Sequence, residues 1–315
     1  MTHDTTTSPL VLGTMMFGTR IDEDTSYALL DRFVERGGVW LDTADCYAYW
    51  ASRSGHGGDS ESVLGRWLAA RPGVRDRVKI ATKVGAEPRW PDAPPSQHEG
   101  LSRRAVREAF EGSLRRLGVD RVDMLWLHKE DRTVPIEETV DALAELTADG
   151  SVARVGASNH PAWRVERARA HARSTGALPL DALQQSATFL RPRPGTRPNG
   201  MHAFGVLDDE LSDYATTHGL EVWAYTPLLE GAYDNPDKTI PEIFEHPGSS
   251  ARLDVLTKVA GELGVQKGQV VLAWLVAHGI RPMLGGSKRD QLDSALDGVR
   301  LRLSPDHLAR LDAPL

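Results

Sequence analysis

The chain has 315 residues, of which 40% are hydrophobic and 26% charged, a globular composition that excludes disordered, collagen-like and disulfide-scaffold classes. Thirty-seven basic against 44 acidic side chains leave a formal net charge of −7 with no basic segment set apart, which disfavours nucleic acid as a partner. A single cysteine, Cys46, excludes an internal disulfide and a multi-thiolate zinc site and fits a reducing compartment, so a cytoplasmic location is expected. The opening MTHDTTTSPL lacks the basic and apolar regions of a signal peptide, and no apolar run is long enough to span a membrane, so the mature chain is expected to begin here.

Short β-branched runs alternate with segments of helical period from one end to the other. A strand at 10–18 (LVLGTMMFG) precedes a helix at 23–36 opened by Asp22 or Asp24, and a strand at 39–45 (VWLDTAD) precedes a helix at 60–70. The strand at 78–84 (VKIATKV) leads to a helix at 102–117 headed by Ser102, and that at 122–129 (VDMLWLHK) to one at 136–149 beside Pro135. Strand 153–159 (ARVGASN) feeds helix 161–175, with Pro161 in its first turn, and strand 181–190 (DALQQSATFL) feeds helix 208–218. Strand 221–228 (EVWAYTPL) is followed by 253–278, which reads as two helices; strand 281–287 (RPMLGGS) is followed by 289–298 and a last helix near 305–313.

Every gap is long enough for a crossover helix, so consecutive strands can be parallel. No linker divides the chain, and the long connections at 46–60, 85–101, 188–207 and 229–252 all follow strands. The arginine-bearing stretch 191–200 (RPRPGTRPNG) reads as a solvated loop. The expectation is an α/β fold, a (β/α)8 TIM barrel forming one domain over 1–315, its long βα loops gathered on the active-site face. A doubly wound dinucleotide-binding sheet would carry G-x-G-x-x-G after its first strand, and that motif is absent, as are G-x-x-x-x-G-K-[ST], H-E-x-x-H and G-x-S-x-G.

Polar side chains at the C-terminal ends of barrel strands are candidates for chemistry. Asp42 lies in strand 2 with Tyr47 just beyond it, Lys83 ends strand 3 and His128 ends strand 4. Each has a structural explanation alone: a turn carboxylate, a loop aromatic, a buried ion-pair partner, a hydrogen-bonded strand-end histidine. Together at three successive strand ends they are hard to explain by stability, because a buried charged pair is often neutral or costly. A free tyrosine has a pKa of about 10, and a neighbouring ammonium is expected to lower it. Lys83 would supply that charge, Asp42 would orient Lys83, and His128 would donate to a carbonyl oxygen. With neither an activated nucleophile nor a metal cluster in sight, the set suits protonation of a carbonyl while a nicotinamide delivers hydride.

These residues resemble the aldo-keto reductases. The similarity runs through LGTMMFG (12–18), DTADCY (42–47), ESVLG (61–65), ATKVG (81–85), LHKED (127–131), GSVARVGASNH (150–160), QSATFL (185–190), WAYTPL (223–228) and GGSKRDQL (285–292). The resemblance implies an NADP-dependent barrel reductase using NADPH, with Tyr47 as proton donor and Asp42, Lys83 and His128 as catalytic partners. It implies Thr14 and Met15 beside the nicotinamide ribose; Ser158, Asn159 and Gln185 on the carboxamide; Tyr225 stacked on the ring; and Thr226 and Leu228 near the pyrophosphate. Gly286, Ser287 and Lys288 would surround the 2′-phosphate, with Gln291 nearby. A strand-to-helix junction with free amides and an adjacent ammonium suits a phosphate there.

The chain departs from the family pattern at Thr188, where a Tyr is usual three residues after the strand 6 glutamine, and at Ser294 and Ala295, where Glu-Asn often holds the adenine. Tyr49, Trp50 and Trp90 are candidates to line the substrate pocket, with plain loop packing the competing expectation for each. The functional expectation is reduction of an aldehyde, ketone or sugar-like carbonyl, without metal, nucleic-acid or membrane partners. The alternatives are a Schiff-base lyase or aldolase using Lys83 and a non-catalytic NADPH-binding sensor or partner subunit on the same fold.

Overall fold

The structure is a computed structural model and describes residues 7–196 and 205–313. Eight parallel strands close a barrel in sequence order: β1 (Val11–Gly13), β2 (Trp40–Asp42), β3 (Lys79–Val84), β4 (Met124–Leu127), β5 (Val155–Ser158), β6 (Ala182–Ser186), β7 (Glu221–Tyr225) and β8 (Ile280–Leu284). Helices α1 (Glu23–Glu35), α2 (Asp59–Ala69), α3 (Arg103–Leu117), α4 (Ile136–Ala148), α5 (Ala162–Thr175) and α6 (Asp209–His218) return the chain between successive strands. Two helices, α7 (Pro247–Leu263) and α8 (Lys267–Ala277), fill the last crossover, and α9 (Arg289–Gly298) and α10 (Pro305–Asp312) follow β8. The fold is therefore the (β/α)8 TIM barrel that the alternation predicts.

The helix starts follow from local chemistry. Asp22 accepts from Thr25 N at 2.7 Å and Asp208 from Leu211 N at 2.8 Å, while Ser102 accepts from Ala105 N at 3.3 Å, each satisfying an amide that the first helical turn leaves unpaired. α7 starts six residues before the predicted 253, with Pro247 in its first turn, where a missing N–H does no harm. The strands are shorter than the apolar runs predict, because their C-terminal portions bend away while keeping one-sided bonds. After β2 ends, Thr43 N still donates to Ala81 O at 2.9 Å and Asp45 N to Lys83 O at 3.1 Å. Residues 197–204 of the arginine-bearing loop lie outside the described region; within it, Arg191 pairs with Asp209 at 2.8 Å.

The barrel interior determines where the site lies. Trp40, Trp126 and Trp223 pack edge to face, with ring centroids 5.0 Å (Trp40–Trp223) and 5.1 Å (Trp126–Trp223) apart, and they plug the barrel with Ala81 and Ala182 between them. Trp126 stands opposite Gly156 in the β4–β5 register, and a Cβ there would come 2.3 Å from the indole. Side chains alternate across a strand, so the residues two places further on emerge above this floor: Asp42, Lys83, His128, Gln184 and Tyr225. Among the described residues no helix is long and apolar enough to cross a membrane.

The contact at Gly156 is testable. Gly156→Ala should destabilise the protein by about 2 kcal/mol through overpacking against Trp126, and Trp126→Leu in the same chain should recover much of the loss. Urea unfolding of the single and double variants checks this; a Gly156→Ala variant as stable as the parent would contradict the packing described.

Candidate active site

The Lys83 ammonium is completely buried at the barrel mouth and has three acceptors. It donates to Asp42 Oδ2 in a very short ion pair, to Tyr47 OH at 2.5 Å and to Thr43 O at 2.8 Å. Tyr47 OH in turn donates to Asp42 Oδ2 at 3.1 Å, and Gln184 Nε2 donates to Asp42 Oδ1 at 3.0 Å. His128 lies edge-on to the Tyr47 ring, 5.8 Å between centroids at 77°. Three strand ends and the loop after β2 thus bring together all four of the side chains singled out in the sequence.

Electrostatics departs from the sequence expectation for Tyr47. Burial, and next the Asp42 charge, hold its phenol well above the ordinary tyrosine value instead of lowering it. The Lys83 ammonium does not pull it down because its charge is already matched by Asp42. Burial pushes Lys83 itself down, against the opposing pull of Asp42. Burial, and after it the Lys83 charge, push the His128 imidazolium well below its usual range, so the ring is neutral near pH 7. The resting quartet is an ion pair beside a protonated phenol and an uncharged imidazole.

Several residues support this arrangement without facing the pocket. Glu61, fully buried, accepts from Thr82 Oγ1 at 2.5 Å and Arg116 Nε at 2.7 Å, tying α2 to β3 and α3. Ser60 Oγ lies 2.8 Å from both Thr14 Oγ1 and Thr43 Oγ1, joining the ends of β1 and β2. A Cβ on Gly57 would stand 2.2 Å from Asp45 O and 2.4 Å from Cys46 Cα, so only glycine lets this loop close over the segment that carries Tyr47. Asp45 is buried with no N–H or O–H donor on its carboxyl among the described residues, and burial, then the Glu99 charge, push its pKa well up, so it keeps its proton in contact with Glu99. Asp45, Cys46 and His128 also bring their ligand atoms within 4.8 Å of one another, but burial keeps the Cys46 thiol protonated, a poor state for binding a metal.

A cavity of about 820 Å³ runs from Tyr47 and His128 across the strand ends to the start of α9. Met15, Ser158, Asn159, Tyr225, Thr226, Leu228, Gly286, Ser287 and Gln291 line it, as do Tyr49 and Trp50. Asp42 and Lys83 lie buried behind Tyr47 and not in the lining, and four further sequence assignments fall elsewhere. Gln185 faces outward, its Nε2 on His160 O at 3.1 Å, because the β6 pleat turns the adjacent Gln184 inward; the two neighbours are chemically identical, and only the register could separate them. Thr14 is fully buried, its hydroxyl engaged by Asp42 O at 3.0 Å and by Ser60. Lys288 is exposed at the N-cap of α9, beside the cavity and not in its wall, and Trp90 is 49% exposed on its loop away from the lining. Thr188 bonds Pro227 O and Tyr233 OH, each at 2.7 Å, outside the lining.

Three non-glycine wall residues adopt left-handed backbone, Asn159 (φ 61°), Thr226 (φ 54°) and Glu230 (φ 58°). For a β-branched threonine this costs on the order of 1–3 kcal/mol, and such strain concentrates at functional sites. On the other flank, Lys129 Nζ lies 2.8 Å from His98 Nδ1, and both side chains line the cavity near His128. Neither Lys129 nor Gln184 is singled out in the sequence, where they appear only within or beside the stretches LHKED and QSATFL.

The sequence model of the family described as Aldo/keto reductase matches residues 9–315, and the chain belongs to that family of oxidoreductases. It is 29% identical to an uncharacterized oxidoreductase, YrpG, of Bacillus subtilis (strain 168), over 97% of this chain and 91% of the relative. A norsolorinic acid reductase of Aspergillus flavus is 28% identical over 97% of this chain and 77% of the relative. Norsolorinic acid reductase B of Aspergillus parasiticus is 30% identical over 97% and 80% respectively. Among solved structures, the thermostable aldo-keto reductase Tm1743 in complex with the inhibitor epalrestat superposes with a TM-score of 0.72 at 21% identity, covering 96% of this chain and 94% of that one, a likeness of fold.

The buried carboxyl beneath the site gives a pH-dependent expectation. The folded-state pKa of Asp45 is raised, so its contribution to stability is intact below the unfolded value of about 4 and is lost as pH rises above it. Asp45→Asn removes the titration and offers an amide donor to Glu99. At about pH 8 the variant should be at least as stable as the parent, and the difference should shrink toward about pH 4. Urea unfolding at both pH values measures it; a parent clearly more stable than Asp45→Asn at the higher pH would refute the protonated assignment.

Proposed function

We propose that the protein reduces an aldehyde, ketone or sugar-like carbonyl to the alcohol with NADPH as hydride source and Tyr47 as proton donor. The observation that carries this reading is the bonding of Lys83. Its N–H groups are directed at Asp42, Tyr47 and Thr43, so it presents no lone pair to a substrate, and imine chemistry at Lys83 is disfavoured. The mobile proton at the pocket end is the phenol's. Relatives named as norsolorinic acid reductase and versiconal hemiacetal acetate reductase support reduction as the reaction class.

The residues present fit the cofactor. The strained Asn159 and Thr226, the Gly285-Gly286-Ser287 run and the start of α9 lie along one continuous cavity that ends at Tyr47. Ser158, Asn159 and Gln184 would hold the carboxamide, with Gln184 replacing Gln185 in that role. Met15 would lie near the ribose, and Tyr225, whose OH donates to Asn159 Oδ1 at 2.7 Å, would present its ring to the nicotinamide. Thr226 and Leu228 would approach the pyrophosphate, and Ser287, Lys288 and the N-terminal end of α9, with Gly286 and Gln291 nearby, would take the 2′-phosphate. When bound, NADPH supplies the hydride. His128 orients the carbonyl oxygen, and Tyr47 transfers its proton to the developing alkoxide. Lys83, already hydrogen-bonded to the phenol oxygen, stabilises the phenolate left behind. Tyr49 and Trp50, edge to face at 5.0 Å, form an apolar wall for the rest of the substrate.

Tyr47→Phe should lower kcat for NADPH-dependent reduction of an aromatic aldehyde by about 100-fold or more while leaving NADPH affinity nearly unchanged, read by fluorescence titration. Turnover retained in this variant would exclude Tyr47 as the donor. The pH profile follows from the shifts. Tyr47, raised, stays protonated into alkali, His128, lowered, stays neutral into acid, and Lys83, lowered by burial against the pull of Asp42, is the group that limits the alkaline side, so kcat for reduction should be flat from about pH 6.5 to about pH 8. A falling limb inside that window would contradict the assignment.

A further inference from the structure

His128 can act on a carbonyl only as a hydrogen-bond donor, and a neutral imidazole carries one proton on two nitrogens, so its tautomer decides whether it works. The His128 backbone is pinned on both sides. Its N–H donates to Val84 O at 2.9 Å, and its carbonyl accepts from Asn159 Nδ2 at 2.8 Å. Nδ1 faces the Cys46 sulfur at 3.4 Å, and His128 lines the cavity with the remaining side of its ring.

In a thiol–imidazole contact between neutral partners the sulfur is the donor, because a thiol is a weak acceptor and an unprotonated imidazole nitrogen a good one. We propose that Cys46 is a positioning residue: its S–H donates to Nδ1, which fixes His128 as the Nε2–H tautomer and leaves a donor facing the pocket. The inference rests on the carbonyl-reductase reading for its purpose but not for its geometry. Burial pushes the Cys46 thiol well up and the His128 imidazolium well down, so neither group ionises to disturb the arrangement near neutrality. The backbone keeps the sulfur in place. Tyr49 N donates to Cys46 O at 3.2 Å, and Gly57 packs so closely on the Cys46 Cα that the loop has no room to shift. Cys46 thus has a use in the site without reacting: an apolar side chain there would leave Nδ1 with no donor and allow the proton to move onto it.

The test is nitrogen NMR of histidine-labelled protein at about pH 7.5, with the His128 signals identified by their absence from His128→Gln. The parent should show an unprotonated Nδ1 and a protonated Nε2. Cys46→Ala should show averaged shifts from mixed tautomers, a kcat lower by about fivefold, a carbonyl KM within about twofold and unchanged NADPH affinity. Cys46→Ser, whose hydroxyl also donates, should restore the Nε2–H signature and part of the lost rate. A parent protein with the proton on Nδ1 overturns the proposal, as does a Cys46→Ala variant with the tautomer unchanged. The parent spectrum decides the question even if the alanine variant does not fold. None of the spectra depends on turnover, so failure of this inference is distinguishable from failure of the reductase reading.

Discussion

A lysine ammonium buried above a plug of tryptophan is the constraint from which the site follows. Taking the charge out of water would cost several kcal/mol or neutralise it unless each N–H found an acceptor. Trp40, Trp126 and Trp223 close the barrel below, so the acceptors must come from the strand ends and the loop above. Asp42 supplies the counter-charge from the adjacent strand, Thr43 a carbonyl where β2 stops pairing, and Tyr47 an oxygen from the loop that bends back. The shortness of β2 is therefore what lets Tyr47 reach Lys83. Three more residues of strand would carry Tyr47 away from Lys83.

The same pairing explains why the phenol is not acidified in the resting site. Asp42 sits on both Lys83 and Tyr47, so its negative charge offsets the ammonium at the phenol oxygen while burial opposes a phenolate. Lys83 does not act by keeping Tyr47 ionised. In the proposed reaction it is already aligned on an oxygen that becomes charged only as the proton leaves, so its benefit would fall in the transition state and not in the ground state. A loaded acid over the whole neutral range suits reduction better than a phenol half-ionised at rest.

The barrel and the quartet were legible because both are written in the pleat. Asp42, Lys83 and His128 each stand two residues after an inward-facing side chain, Trp40, Ala81 and Trp126, and each interrupts an apolar run with a charge or an imidazole that the core does not require. Legibility ended where the signal was degenerate. Gln184 and Gln185 differ only in which way the strand turns them, and the β6–β7 register that sets Gln184 against Trp223 is not a local property. Thr14 reads as a ligand beside the pocket, yet its hydroxyl is engaged by Asp42 O and Ser60. The glutamate of ESVLG was visible as part of a motif, but that it braces β3 to α3 depends on Arg116, more than fifty residues further along the chain.

The loop that carries Tyr47 illustrates how a buried polar segment is held without adding charge. Asp45 keeps its proton beside Glu99, Cys46 keeps its proton beside Nδ1 of His128, and Tyr47 keeps its proton beside Asp42. Each is a neutral acid, because burial disfavours the anion, and the Lys83 ammonium beside this segment is already paired with Asp42. Three successive residues therefore form a row of proton donors directed at three different acceptors. Cys46 and Tyr47 both line the cavity, but the thiol is engaged by Nδ1 of His128 and Asp45 is turned toward Glu99, which leaves the Tyr47 hydroxyl to redirect its bond into the cavity. In the proposed reaction, selectivity for a single proton donor then follows from which donor can leave its acceptor for a group in the cavity, with no need for a difference in intrinsic acidity along the loop.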